Sequence, residues 1–424
     1  MSELKRLMDT LCPDGVEYKP LWSVTIWDKR FHSVDKEKQP KIITYPYLLA
    51  ADLFALNVPD GDVFLLSTGE QQGWTTEELA GDNLCEGEVV TIPWGKSRPV
   101  EEVIKYYKGK FVTADNRIAT SADTSVLLNK FLYYWMLTQG KKIDGFYRGS
   151  GIKHPSMKDV LNLSIPVPPL AVQSEIVRLL DNFTALTAAL TAELATRKTQ
   201  YEHYRDALLT FPAPADDIGK VRGPNNVQWM KLGDICDIVD YRGKTPKKAK
   251  YGVFLVTAKN IREGYIDYDK SREYIAPEDY EEVMHRGYPK IGDVLITTEA
   301  PCGNVAQVDR EDIALAQRVI KYRPKTDALD ATYLKYILLG VEFQGKLHKQ
   351  ATGGTVKGIK GSRLHQLTIP VPPLAEQKRI VAILDKFDAL TSDISRGLPA
   401  EIEARKKQYA HYRDRLLDFR EKRA

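Results

Sequence analysis

Leu163-Ser-Ile-Pro-Val-Pro-Pro-Leu170 recurs 204 residues later as Leu367-Thr-Ile-Pro-Val-Pro-Pro-Leu374, and this repeat decides how the chain is organised. The match continues downstream. Gln173, Ile176, Val177, Leu180, Asp181, Phe183, Ala185, Leu186 and Thr187 return as Gln377, Ile380, Val381, Leu384, Asp385, Phe387, Ala389, Leu390 and Thr391. The second copy then gains four residues around Gly397-Leu-Pro-Ala400. Identity resumes where Gln200-Tyr-Glu-His-Tyr-Arg-Asp206 faces Gln408-Tyr-Ala-His-Tyr-Arg-Asp414.

Both copies read as long helices. Proline lacks the amide donor and clashes with the preceding turn, so Pro-Val-Pro-Pro marks a helix start. Apolar residues then follow at spacings of three and four, with one step of seven: Ile176, Leu180, Phe183, Leu186, Leu190, Leu194, Tyr201, Tyr204 and Leu208, a coiled-coil-like seam. The second copy repeats the stripe through Ile380, Leu384, Phe387, Leu390, Ile394, Leu398, Ile402, Tyr409, Tyr412 and Leu416. Its four extra residues amount to about one turn, a stutter in the seam, and Pro399 should kink or interrupt the helix. At ~1.5 Å per residue such a helix is a rod on the order of 60 Å long, which cannot bury its stripe alone. A single amphipathic helix would pair with a second copy of its chain. Two near-copies in one chain can instead pair with each other, antiparallel, which gives the molecule an approximate two-fold axis.

The segments before each helix read as globular. Val16-Glu-Tyr-Lys-Pro-Leu21 is echoed by Val227-Gln-Trp-Met-Lys-Leu232. Each segment holds an apolar strand signal, Gly87-Glu-Val-Val-Thr-Ile92 and Gly292-Asp-Val-Leu-Ile-Thr297. Each then passes through a polar-basic turn, Asn116-Arg117 or Gln317-Arg318, into a helical stretch at Asn129 to Gln139 or Ala331 to Leu339. The expected fold class is therefore α+β. The expected division is a first globular domain at 1–162, a first long helix at 163–210, a Pro- and Gly-rich linker at 211–226, a second globular domain at 227–366 and a second long helix at 367–424. Outside the shared landmarks the two globular segments diverge while the helices do not. Two different readers on one symmetric frame would look like this.

Composition excludes several classes. With 424 residues, 43% hydrophobic and 28% charged, the chain can bury more than one core. Its net charge of +4 is small, so a nucleic-acid surface must come from local clustering. Cys12, Cys85, Cys236 and Cys302 lie far apart, without the spacing of a zinc site or a secreted disulfide framework, which points to the cytoplasm. No signal-peptide pattern opens the chain and no run approaches the ~18 apolar residues of a membrane span. There is no Asn-Pro-Pro-aromatic tetrapeptide, no Gly-x-Gly-x-x-Gly and no His-Glu-x-x-His.

DNA binding needs cations for phosphate and planar donors for base edges. In the second domain Tyr241, Arg242, Lys244, Lys247, Lys248 and Lys250 crowd one turn, with Tyr251 beside them, and Arg318 stands at the polar-basic turn. Gly353-Gly-Thr355-Val-Lys357-Gly-Ile-Lys360 adds glycines that let backbone amides approach phosphate. In the first domain the candidates are Lys29, Arg30, Lys96, Arg98, Arg117, Tyr147, Arg148, Lys153 and His154. Each cluster can also be read as a solvated loop. His203 and His411, at equivalent helix positions, read as seam or partner contacts.

The order of globular domain, Ile-Pro-Val-Pro-Pro-Leu helix, globular domain and second such helix resembles the specificity (S) subunit of type I restriction-modification systems. Leu11-Cys-Pro-Asp-Gly-Val-Glu-Tyr18, Arg242-Gly-Lys-Thr-Pro246, Thr355-Val-Lys-Gly-Ile-Lys360 and both Lys-x-Gln-Tyr-x-His-Tyr-Arg-Asp tails share the likeness, which spans essentially the whole chain. It implies two target-recognition domains, each reading one half of a bipartite site in double-stranded DNA, held apart by two antiparallel helices. It also implies methylation subunits, two of them, docked on the helices, with restriction subunits joined through them. S-adenosylmethionine, ATP and Mg would belong to those partners, and this chain would hold no cofactor or metal and catalyse nothing. The first helix lacks the Gly-Leu-Pro-Ala insert, a departure from symmetric docking surfaces. The competing readings are a coiled-coil scaffold that reads no DNA and a methyltransferase or nuclease fused to its reader.

Overall fold

A computed structural model describes residues 2–67, 69, 71–95, 98–114, 117–212, 226–241, 246–353, 357–391 and 397–422. The chain forms two compact units. One joins Met1–Leu190 to Ile402–Ala424, and the other is Thr191–Glu401. Each unit therefore contains one globular segment, the first half of the helix that follows it, and the second half of the other helix.

In the first unit a seven-stranded sheet runs in the order Thr25–Trp27, Arg117–Ser121, Cys85–Ile92, Lys105–Ala114, Val63–Leu66 and Trp74–Thr75, with Tyr47–Leu48 also paired to Lys105–Ala114. Side chains alternate across a strand, and the strand Cys85–Ile92 uses both faces. Val90 and Ile92 enter the core with Phe131, Leu132, Trp135 and Met136 of the helix Asn129–Thr138. Val89 instead joins Phe64, Phe111 and Ile118 on the opposite face. The second unit shares that strand-and-helix core and then departs. Cys236–Asp240, Val319–Pro324, Val294–Thr298 and Cys302–Gln307 make one four-stranded sheet, and Lys248–Ala249, Tyr274–Ile275, Val253–Val256 and Ile313–Leu315 make another. Val294 and Ile296 pack on the side of the helix Ala331–Leu339, while Leu295 faces the second sheet's Leu255, Ile275 and Ile313.

The repeated proline motif performs two tasks. Its first half is a strand: Ser164–Pro166 pairs with Tyr18–Pro20, setting Tyr18 opposite Pro166. Thr368–Val371 pairs with Gln228–Lys231 in the same register, with Trp229 opposite Pro370. Its second half starts the helix, at Leu170 or Leu374, where a missing proline amide costs nothing. The repeated glutamine three residues on then fastens the helix to the globular segment. Gln173, fully buried, donates to the carbonyls of Val126 and Pro168, both at 2.7 Å, and accepts from the Leu128 amide at 2.9 Å. Gln377, equally buried, donates to Ala328 at 2.8 Å and Pro372 at 2.7 Å and accepts from Asp330 at 2.8 Å.

The helix stripe is covered in two stages, although Leu186, Leu390 and Tyr204 remain 42%, 38% and 48% exposed. Ile176 and Leu180 sink into the core of the first unit, and Ile380 and Leu384 into that of the second. Beyond them the partner is a tail half-helix. Within the first unit Phe183 stacks on Tyr412 with ring centroids 5.3 Å apart; within the second, Phe387 stacks on Tyr204 at 5.4 Å. Tyr409 and Tyr201 pack against the respective cores, with Arg413 and Arg205 over their rings. In each unit the two half-helices run antiparallel. The first long helix is continuous over Leu170–Leu209. The second is described as Leu374–Thr391 and Leu398–Leu416, and Pro399 falls in the first turn of the latter piece, where proline is tolerated.

Candidate nucleic-acid interface

In the first unit, strand pairing delivers most of the predicted cations to one end of the sheet. Ile92 pairs with Arg117 and Trp27 with Ala119, so the segment leaving at Pro93, the segment leaving at Asp28 and the strand entering at Arg117 meet there. A hairpin closes the group, with Tyr147–Arg148 paired to His154–Pro155. The His154 ring lies 4.0 Å from that of Trp94, and its Nδ1, 3.0 Å from the Trp94 carbonyl, must be the donor. Arg30, Arg98, Arg148 and Lys153 are exposed, and Lys29, Arg117 and His154 are half-buried. Lys29 sits 4.8 Å over the exposed Tyr47 ring, and the Arg117 guanidinium 5.6 Å over Phe31.

Acidic groups hold these cations loosely. Arg98 lies 3.9 Å from Glu102, and Arg148 lies 3.1 Å from Asp159. Exposed pairs of this kind contribute about 0–1 kcal/mol, so phosphate can replace the carboxylate at little cost. Asp28 differs because it is buried. Its carboxylate accepts from the Ile118 amide at 3.1 Å and lies 3.6 Å from Lys29, yet burial pushes its pKa up to about 6.

The second unit builds a matching end. Thr297 pairs with Val319 and Asp240 with Ile320. Arg318 is exposed and lies 3.5 Å from Glu299. Glu299 bridges to Gly358, and the Ile359 amide donates to the Thr298 carbonyl at 3.0 Å, which places the exposed Lys357 and Lys360 on either side of that contact. Lys247, Lys248 and Lys250 belong to a separate group on the strand Lys248–Ala249 of the second sheet. Lys248 pairs with Glu273 at 2.9 Å, and the neighbouring Tyr251 is 81% exposed.

Two expectations change. Tyr147 and Tyr241 are buried, and their hydroxyls donate to the carbonyls of Pro93 at 2.6 Å and Gly287 at 2.5 Å. Neither presents its ring to a ligand. The ladder also moves the two polar-basic turns by one residue. Arg117 lies opposite Ile92 and Val319 opposite Thr297, so Arg318 precedes its strand whereas Arg117 is inside one, and a one-residue shift reverses the face. Lys96, Arg242, Lys244 and Thr355 lie outside the described residues, as do Asn116, Ile394 and most of the linker. Sequence reading passed over Trp94 and Asp28, although Pro93-Trp-Gly95 directly after a strand is a turn with an aromatic at its tip.

Among the described residues no group of three or more His, Cys, Asp or Glu side chains could hold a metal, and no helix is long and apolar enough to cross a membrane. All four cysteines are free thiols.

Known proteins share this plan. The family described as the type I restriction modification DNA specificity domain matches residues 59–196 and 224–404. The chain is 33% identical to the EcoR124I/EcoR124II type I restriction enzyme specificity subunit of Escherichia coli, covering 99% of this chain and 97% of that one. It is 32% identical to the putative specificity subunit S.HindORF215P of Haemophilus influenzae, covering 79% and 83%. Its fold is similar to that of the type I restriction-modification S subunit from M. genitalium, with a TM-score of 0.53 at 15% identity over 95% of this chain and 96% of that chain.

Proposed function

The chain belongs to the type I restriction-modification DNA specificity family, and from that membership we propose a division of labour between its parts. It is a non-catalytic specificity subunit that binds DNA in a sequence-specific way. Each unit reads one half of a bipartite site through the basic end of its sheet, and the long helices set the unread spacer. The helices also dock two methylation subunits, and restriction subunits join through these. S-adenosylmethionine, ATP and Mg belong to the partners. The five segments 1–162, 163–210, 211–226, 227–366 and 367–424 serve as first reader, first helix, linker, second reader and second helix.

The observation that carries this reading is the contrast inside the repeat. The fastening of helix to globular segment recurs atom for atom through Gln173 and Gln377, while the sheets beyond it differ in strand number and order. An identical mount with unlike tips suits two readers of unlike sequences. Exchanging residues 1–162 for the matching segment of a relative should change one half of the recognised site. A change in both halves would contradict independent reading.

A further inference from the structure

The divergent tips share one element. In the first unit Arg148 and His154 pair across a hairpin. In the second, Thr352 and Gly358 exchange both hydrogen bonds, at 2.8 and 2.9 Å. Counted back from Ile165 and Ile369, these four residues occupy identical positions, so Gly149-Ser-Gly-Ile-Lys153 is the counterpart of Gly353-Gly-Thr-Val-Lys357. The first glycine of each has a positive φ, +137° at Gly149 and +126° at Gly353, where a side chain is strained. A Cβ at Gly149 would also stand 3.0 Å from the Ile152 carbonyl oxygen. Both bridged pairs meet the same place, the end of the equivalent strand, through His154 on Trp94 and Gly358 on Glu299.

Lys153 and Lys357 complete the pair. Both are exposed, and among the described residues neither has an ion-pair or hydrogen-bond partner within the chain. An exposed lysine of that kind adds little to the fold, yet it stands at the same position in two domains that otherwise differ. Two readers of different base sequences have one ligand feature in common, the phosphodiester backbone. Backbone contacts position a protein on the duplex and carry no base information.

Resting on the reading of this chain as a DNA-binding specificity subunit, we propose that Lys153, beside the Arg148–His154 pair, and Lys357, beside the Thr352–Gly358 pair, are matched phosphate anchors. Each contacts the DNA backbone of its own half-site without regard to sequence. Base reading is left to the parts of the sheet ends that differ.

The test is DNA binding by the whole chain, assembled with its methylation subunit, across a salt series. Each phosphate contact contributes about 0.9 to the slope of log affinity against log salt. Lys153→Gln with Lys357→Gln should therefore make the slope shallower by about 1.8, weaken target and non-target DNA by the same factor, and leave the enriched sequence unchanged. Lys153→Arg with Lys357→Arg should keep the original slope. An unchanged slope in the glutamine variant, an altered sequence at either half-site, or an arginine variant that behaves like the glutamine one would overturn the proposal. Failure of the unmodified assembly to bind DNA would overturn the underlying reading instead.

Discussion

The two units are most alike where they hold their helices and least alike where their sheets end. The first closes its helix mount with Gln173, a Tyr134 hydroxyl donating to Asp181 at 2.6 Å and the Phe183–Tyr412 stack. The second repeats each part with Gln377, Tyr336 donating to Asp385 at 2.6 Å and the Phe387–Tyr204 stack. Beyond the mount, one carries a seven-stranded sheet and the other two sheets of four. The lesson is one of constraint. A mount satisfied by backbone carbonyls and amides tolerates few substitutions, because a buried polar group left unpaired costs about 1–3 kcal/mol. A sheet end facing solvent is under no such demand.

The largest expected effect comes from breaking one mount and leaving the other intact. Gln173→Ala strands two carbonyls and an amide in the core and should cost the first unit on the order of 4 kcal/mol. Hydrogen exchange should then rise across the first unit, including the half-helix after Ile402, with the globular part of the second unchanged. Gln377→Ala should do the reverse. Equal loosening of both units by either variant would show that they are not independent mounts.

The next effect separates the units by pH. Asp28 has its pKa raised by burial to about 6, against 3.8 for the free side chain. The folded form therefore holds a proton that the unfolded chain gives up, so stability of the first unit falls as pH rises from about 4 to 6 and stays lowered above that. The total is about 3 kcal/mol. Asp28→Asn keeps an acceptor for the Ile118 amide and should abolish the decline, which thermal unfolding followed between pH 4 and 8 would show. A decline that survives the substitution would place its cause elsewhere.

The smallest effect concerns the tails. Tyr204→Ala and Tyr412→Ala each remove one aromatic stack, worth about 1 kcal/mol beyond the area lost. Their effects on thermal unfolding should match, because the two stacks share their geometry. Together they should loosen assembly with a methylation subunit while each globular segment remains folded. Unchanged assembly would remove the tails from the docking surface.

Much of the mount was legible in the sequence because a repeat exposes it. The proline motif, the apolar stripe and the tail tyrosines recur in order, and the structure uses them in order. What Gln173 and Gln377 do was not legible, since their partners are backbone groups and backbone leaves no mark in a sequence. The division of each long helix between two units was hidden as well, because apolar stripe residues continue on both sides of each boundary, Leu190 with Leu194 and Leu398 with Ile402. At the tips the candidate cations were picked out by local clustering in the sequence, and strand pairing brings Lys29, Arg117 and Arg148 to one sheet end. Tyr147 and Tyr241 misled because a tyrosine beside cations reads the same whether its ring is buried or bare. The second sheet of the second unit was missed, because two of its strands, Lys248–Ala249 and Tyr274–Ile275, are two residues long, too short to show a period.

The most direct test of two readers on one mount is to bind the chain, assembled with its methylation subunit, to a library of genomic fragments at stated salt and to sequence what is enriched. The account predicts a bipartite motif, two short specified blocks separated by a spacer of fixed length and free sequence. One continuous motif, or no enrichment at all, would contradict it.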